Sequence, residues 1–386
     1  MISSKYTIRE QNEANILNYI IKNKKISRAS LSEISALNKA SVSSITKKLI
    51  DEHLIHEVGT GEASTLGGRK PILLTFNKKS ALLIAIDLGF NYVDAILTYV
   101  DGSEVGRVQR KNLLVTSENI QTIIDEIVVQ FEANLPKTPH GIVGMTIGIQ
   151  GQVFKNKLIF TPYYDLSNID LYDILNSKYS FPIYIENEAN LSALGEYTFS
   201  SDFESLISIS LHRGIGAGIV KRGRLEVGNN GNAGEIGHMI LFPEGRQCPC
   251  GNRGCFDQYC STKKIYDETK EIKNLDIVNS EIMKDLYDSN DEEVRLLVQK
   301  YASLLAVGVN NVIMMYAPQL VIFNSALTKK IPDMITLINE HLTNRFSKNI
   351  KIINSPIEWN PVLYGGVAYA AQHFLNIEEL KLIELE

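Results

Sequence analysis

The sequence predicts an α/β protein preceded by a small helical domain that ends in a hairpin. Three observations carry this. Residues 1–80 hold three short helical patterns and then two strand-like runs. From Ala81 onward, strand clusters alternate with helical stretches, as in an α/β body. The strand series restarts near Ser205, so the body should have two lobes with a cleft between them. A chain of 386 residues, 44% of them hydrophobic, is long and apolar enough for two or three packed domains.

In NEANILNYIIKN, Ile16, Leu17, Ile20 and Ile21 recur at helical spacing and give the first helix one apolar face. A second helix is expected from Ser30, where Ser30-Leu31-Ser32-Glu33 fits a capping box, with Leu31 and Ile34 inward and a stop near Leu37-Asn38. The third, SVSSITKKLIDEHL, should bury Val42, Ile45 and Leu49. LIHEV and PILLTF then read as strands joined by a tip ending Gly67-Gly68-Arg69-Lys70. Together these elements make a winged helix–turn–helix. Three helices alone would also suit a docking or oligomerisation module. The wing tips the balance, because an arginine on a flexible glycine pair suits a narrow minor groove. Charge agrees: residues 1–80 carry +6 and the remainder −11, for a net −5. Only the front of the chain is basic enough to meet a polyanion. The candidate DNA-contacting residues are Ser41, Ser43, Ser44, Lys47, Lys48, Arg69 and Lys70.

The body opens with ALLIAIDLG, NYVDAILTYV and SEVGRVQRK as successive strands, then an amphipathic helix near 117–134. IVGMTIGIQG is another strand, FPIYIENEANLSALGEY runs from strand into helix, and SLISISLHRGIGAGIV begins the second series. Three junctions look chemical: Asp87-Leu88-Gly89, Asn187-Glu188, and Gly214 to Gly218. Each alone is weak, since a cap, a bulge or close packing explains it as well. Their joint occurrence in this order says more. The polar start, MISSKYTIREQNEAN, does not read as a secretory leader, and charges such as Asp87 interrupt the apolar stretches before membrane-spanning length. A cytoplasmic protein with no membrane partner and reduced thiols is expected.

GHMILFPEGRQCPCGNRGC, residues 237–255, holds three of the four cysteines. In reduced surroundings, clustered thiols are most often zinc ligands. Two sets of four are available: Cys248, Cys250, Cys255 and Cys260, or the same set with His238 in place of Cys260. Cys260 lies five residues past Cys255 in a helical stretch, so it should point elsewhere, into the core. A redox pair would more usually read Cys-x-x-Cys.

The body resembles the ROK family of repressors and sugar kinases. GIGAGIVKRGRLEVGNNGNAGEIGHM matches the family signature and CPCGNRGC its metal motif. Within the family, IENEAN, ISRASLSEISALNKASVSS and GGRKP carry a likeness to the xylose repressors. The resemblance implies a winged helix–turn–helix over residues 1–80, then a two-lobed actin-like (ribonuclease H-like) domain over 81–386 that binds sugar. Lobe one would take about 81–200 plus the C-terminal helix, and lobe two about 201–365. It selects His238, Cys248, Cys250 and Cys255 as ligands of one zinc per chain. A closed four-ligand site is structural, and would pin His238 so that its second ring nitrogen faces the cleft.

The family's sugar contacts map onto Asn187, Glu188, Glu235, His238 and Asp257, the last standing where the family usually has Glu. Glu235 could instead orient the imidazole. The resemblance further implies a homodimer, or a tetramer, on a palindromic operator, released by a monosaccharide inducer. Two departures stand out. The sugar loop of the relatives tends to carry Pro-Asn and then Trp, whereas this chain reads Phe160-Thr161-Pro162-Tyr163-Tyr164-Asp165-Leu166, with Tyr163 or Tyr164 available to replace the lost ring. The family kinases hold phosphate with Asp-x-Gly-Gly-Thr and use Asp after Asn as general base. Here Phe90 and Asn91 replace the second Gly and the Thr, and Glu188 replaces the base. The expectation is a regulator without catalytic residues, not a kinase.

Overall fold

The computed structural model describes residues 8–61, 70–162, 164, 166 and 168–383. Arg69 and Tyr163, both singled out above, lie outside the described residues.

The small domain opens with α1 (Ile8–Asn23), which buries Ile16, Leu17, Ile20 and the carboxylate-bearing Glu13. A two-residue strand, β1 (Ile26–Ser27), leads into α2 (Arg28–Ser35). The cap is Ser27, whose side chain accepts from the Ser30 amide, so α2 starts earlier than the expected box at Ser30. Ile34 is 45% exposed rather than inward, because α2 spans only about two turns and presents Leu31 alone to the core. Ala36, with φ +56°, ends it in the left-handed region. Asn38 caps α3 (Lys39–Asp51), which buries Val42, Ile45 and Leu49 as its spacing predicts. Strands β2 (Ile55–Thr60) and β3 (Ile72–Phe76) complete a three-stranded sheet in the order β1-β3-β2.

Next come β4 (Leu82–Leu88), β5 (Tyr92–Tyr99), β6 (Glu104–Lys111), α4 (Ile120–Glu132) and β7 (Ile142–Ile149). A hairpin of β8 (Gln152–Phe154) and β9 (Lys157–Phe160), then α5 (Leu171–Lys178) and β10 (Ile183–Asn187), follow. Their sheet runs β10-β7-β4-β5-β6, with β4 antiparallel to β5 and parallel to β7. All seven residues of β4 are buried, which suits a run that is apolar apart from Asp87 near its end.

The second series comprises α6 (Glu188–Phe199), β11 (Leu206–Leu211), β12 (Ile215–Lys221) and β13 (Arg224–Leu225). Four helices, α7 (Asp257–Cys260), α8 (Thr262–Lys273), α9 (Ser280–Asp288) and α10 (Glu292–Tyr316), lead to β14 (Leu320–Asn324). After α11 (Ala326–Lys330) and α12 (Asp333–His341) come β15 (Lys351–Asn354) and α13 (Pro361–Leu375). The sheet order, β13-β12-β11-β14-β15, repeats that of the first sheet: third, second, first, fourth, fifth strand. Helix α10 is long and apolar enough to cross a membrane by length and composition, but its face from Val294 to Ile313 lies in the core of the second unit, packed against α12 and sharing one apolar cluster with β11, β12 and β14.

The chain divides into two compact units, Met1–Glu186 with Gly366–Glu386, and Asn187–Gly365. The expected division near residue 200 and this one differ by α6, which packs on β11 and β12. Gly218 lets it do so. A Cβ there would lie 2.1 Å from the Ala189 carbonyl, so this part of the glycine run serves helix packing.

Candidate functional site

The metal candidates come together in the second unit. A short turn, Ile236–His238, follows Gly234, whose φ of +86° and close approach to the Ala217 carbonyl admit no side chain. Ile240 pairs with Cys255 and Gln247 with Arg253, folding 240–255 into a tight loop. Nδ1 or Nε2 of His238 and the sulfurs of Cys248, Cys250 and Cys255 lie within 4.8 Å of one another. Cys250 Sγ is 3.7 Å from Cys255 Sγ, and Cys248 Sγ 3.5 Å from His238 Nδ1. Tetrahedral zinc bonds place sulfurs about 3.8 Å apart and sulfur about 3.6 Å from nitrogen. The donor set therefore fits such an ion. Cys260 is buried in the core and outside the cluster. Burial raises the Cys248 thiol and pushes Cys255 up to about 12, helped by its neighbouring thiols, while hydrogen bonds hold Cys250 low despite its own desolvation.

The other face of His238 meets carboxylates. Nε2 lies 3.8 Å from Glu235 Oε2. Burial raises the pKa of both Glu235 and Asp257, and the His238 imidazole opposes it in each. Asp257, at the start of α7, accepts from the Ile215 amide, and its Oδ2 lies 3.3 Å from Gln258 Nε2. Its Oδ1 is buried with no hydrogen-bond partner. A buried acceptor without a partner keeps hydrogen-bonding capacity in reserve.

Glu188, the first residue of α6, accepts from Ser210 Oγ at 3.0 Å. Ser210 stands opposite Gly216 in the β11–β12 ladder, next to the Ile215 that serves Asp257. Glu188 thus joins the Glu235–His238–Asp257 group through one hairpin. Asn187 Oδ1 caps α6, accepting from the amides of Ala189 and Asn190 at 2.8 and 3.1 Å.

In the first unit, the Asp87–Gly89 turn holds a residue that the sequence reading passed over. Tyr92 donates its hydroxyl to Asp87 Oδ2 at 3.0 Å, and its ring lies 2.0 Å from where a Gly89 Cβ would be. An aromatic ring thus fills the space above the glycine. Its signal was a tyrosine five residues after the aspartate. Tyr164 is 6% exposed, with its hydroxyl donating to the Leu88 carbonyl and accepting from the Gln150 amide. It pins the loop and does not supply the replacement ring.

On the DNA-binding candidate face, Ser43, Ser44, Lys47 and Lys70 are exposed and Ser41 is half-buried at the capped start of α3. Lys48 differs from expectation. Its ammonium pairs with Glu13 of α1, itself held by Arg9, so it braces α3 from behind. Arg28 bonds Thr46 Oγ1 at 3.0 Å and Glu57 Oε1 at 2.9 Å, tying α2 to α3 and the wing.

A winged helix–turn–helix joined to two sheets of one strand order, with a His–Cys₃ cluster beside carboxylates, defines a class: DNA-binding regulators built on an actin-like body. The chain belongs to the ROK family, whose profile matches residues 83–372, and a winged helix–turn–helix DNA-binding profile matches 9–56. It is a ROK-family transcriptional regulator. It is 33% identical to a xylose repressor of Bacillus spizizenii, over 98% of this chain and 100% of that one. To the DNA-binding transcriptional dual regulator NagC of Escherichia coli it is 26% identical, covering 96% of this chain and 94% of that one. Among solved structures, a ROK family transcriptional regulator homologous to E. coli MLC superposes with TM-score 0.79 at 24% identity, covering 95% and 97% of the two chains. A ROK family glucokinase from Streptomyces griseus superposes with TM-score 0.66 at 22% identity over 75% of this chain and 99% of that one. These two likenesses speak to the fold.

Proposed function

We propose that this regulator is a sugar-responsive repressor of carbohydrate-utilisation genes, bound as a homodimer to a palindromic operator and released by a monosaccharide. The observation that carries it is the pairing of His238 with Glu235, with the buried Asp257 carboxyl nearby and its Oδ1 without a hydrogen-bond partner. Carboxylates accept from sugar hydroxyls through charge-assisted bonds. Asn187 and Glu188 complete the sugar-binding set. The names of the relatives, xylose repressor and N-acetylglucosamine repressor, support a sugar as inducer. Zinc held by His238, Cys248, Cys250 and Cys255 would supply a fixed imidazole orientation and no chemistry. Ser41, Ser43, Ser44, Lys47 and the Arg69–Lys70 tip would meet DNA, with Lys48 bracing rather than touching it.

The kinase reading of the same fold is disfavoured by Tyr92, whose ring occupies the turn that would cradle phosphate. A thermal-shift screen across monosaccharides tests the ligand class, because a bound ligand stabilises by mass action. The hit should then weaken operator binding, and operator should weaken sugar binding by the same factor, typically about 5- to 150-fold. Sugar that tightens operator binding would make the chain an activator or a co-repressed protein. A coupled ATP assay showing turnover near about 1 per second would restore the kinase.

A further inference from the structure

The carbonyls that follow the last turn of a helix have no partner within it. After α3, three in succession are taken up from beyond the helices, two by the linker that follows β3 and one by the body. The Glu52 carbonyl accepts from His140 Nε2 at 2.7 Å, that of His53 from Asn77 Nδ2 at 2.8 Å, and that of Leu54 from the Asn77 amide at 2.9 Å. Asn77 belongs to the linker between β3 and β4. His140 belongs to the body, two residues before β7, and reaches back across 88 positions of sequence. It is itself held: its amide donates to the Ser80 carbonyl at 3.0 Å, and its ring stands edge-on to Phe374 of α13 at 5.3 Å. A carbonyl only accepts, so Nε2 carries the proton.

Strand β7 makes this contact more than a local tie. Its eight residues span about 26 Å. His140 precedes its first residue. Gln150, just past its last, donates to the Tyr164 hydroxyl in the loop where the family reads sugar. Six of its residues are buried, and it lies between β10 and β4 in the sheet.

We propose that His140 is a positioning residue for DNA reading: it clamps the end of α3 to β7 and sets the angle at which Ser43, Ser44 and Lys47 are presented. This rests on the DNA-reading role proposed above. His140→Ala and His140→Gln test it in the full chain, since the glutamine amide nitrogen reaches about as far as Nε2 and keeps a donor. Amides of Glu52, His53 and Leu54 should exchange with solvent about tenfold faster in His140→Ala and at the wild-type rate in His140→Gln, with β11 and β14 unchanged in both. A duplex selected by the wild type from a random-sequence pool should bind His140→Ala about tenfold more weakly, with an unchanged salt slope because no phosphate contact is lost. His140→Gln should restore it. Unchanged exchange in His140→Ala, or equal DNA affinity of that variant and wild type, overturns the proposal. If the wild type selects no duplex, the repressor reading fails, and exchange alone decides whether His140 is the clamp.

Discussion

Removing the metal from the His238–Cys248–Cys250–Cys255 cluster is the sharpest perturbation available, and its pH dependence follows from the geometry. Thiols ligate as thiolates, so each neutral thiol must lose its proton when the ion enters. Cys255 sits near 12 and Cys248 is also raised, so both are protonated at pH 7; Cys250 is shifted the other way. Binding one dication therefore displaces two or three protons. Each displaced proton makes affinity rise about tenfold per pH unit, so zinc should bind at least about 100-fold more tightly at pH 7 than at pH 6. Competition with a chromophoric chelator at pH 6, 7 and 8 measures the slope, and elemental analysis of tag-free protein should find about one zinc per chain. A slope below about tenfold per unit would show that the thiols do not all ligate. Absence of zinc, or a full sugar response in Cys250→Ala, would refute the pinning of His238 by metal.

Glu188→Gln keeps an acceptor for Ser210 but loses the charge, so sugar affinity should fall about 10- to 100-fold in calorimetry while operator affinity stays unchanged. Lys47→Ala should lower the salt slope of DNA binding by about one charge, whereas Lys48→Ala should leave the slope alone and cost about 0.5 kcal/mol of domain stability, because its partner is Glu13. A changed slope in Lys48→Ala would return that residue to the DNA face. Tyr164→Phe orphans the Leu88 carbonyl and the Gln150 amide. It should cost about 1–3 kcal/mol and lower the melting midpoint by about 2–4 °C per kcal/mol, with the sugar profile unaltered. An altered profile would put Tyr164 in the sugar wall after all.

Local grammar was legible in the sequence and long-range pairing was not. The apolar stripe of α3, the alternation of strands and helices, and the separation of Cys260 from the other three cysteines all follow from spacing within about a dozen residues. Ser30 looked like the cap of α2 because Glu33 stands three residues on. The cap is Ser27 because β1 pairs with β3, fixing Ile26 opposite Leu74 and leaving the chain extended there. No local rule contains Leu74. Lys48 met the same limit, since Glu13 lies 35 residues away, as did the partnership of His140 with Glu52. The sequence places α6 at the end of the first lobe, about 81–200, but Gly218 on β12 brings it into the second unit.

Whether a glycine-rich turn serves phosphate or packing depends on what fills the space above it. Two such turns were readable as phosphate loops. At Gly218 the occupant is the Ala189 carbonyl, and at Gly89 it is the ring of Tyr92, whose hydroxyl also takes an oxygen of Asp87. At both positions the direction a side chain would take is filled by the chain's own atoms. Of the groups proposed to read hydroxyls, Glu235, His238 and Asp257 stand outside both turns, while Glu188 opens the helix that Gly218 seats on β12. On the repressor reading, binding energy that a kinase directs to its transition state is free to favour one conformation over another, and that difference alone can shift DNA affinity.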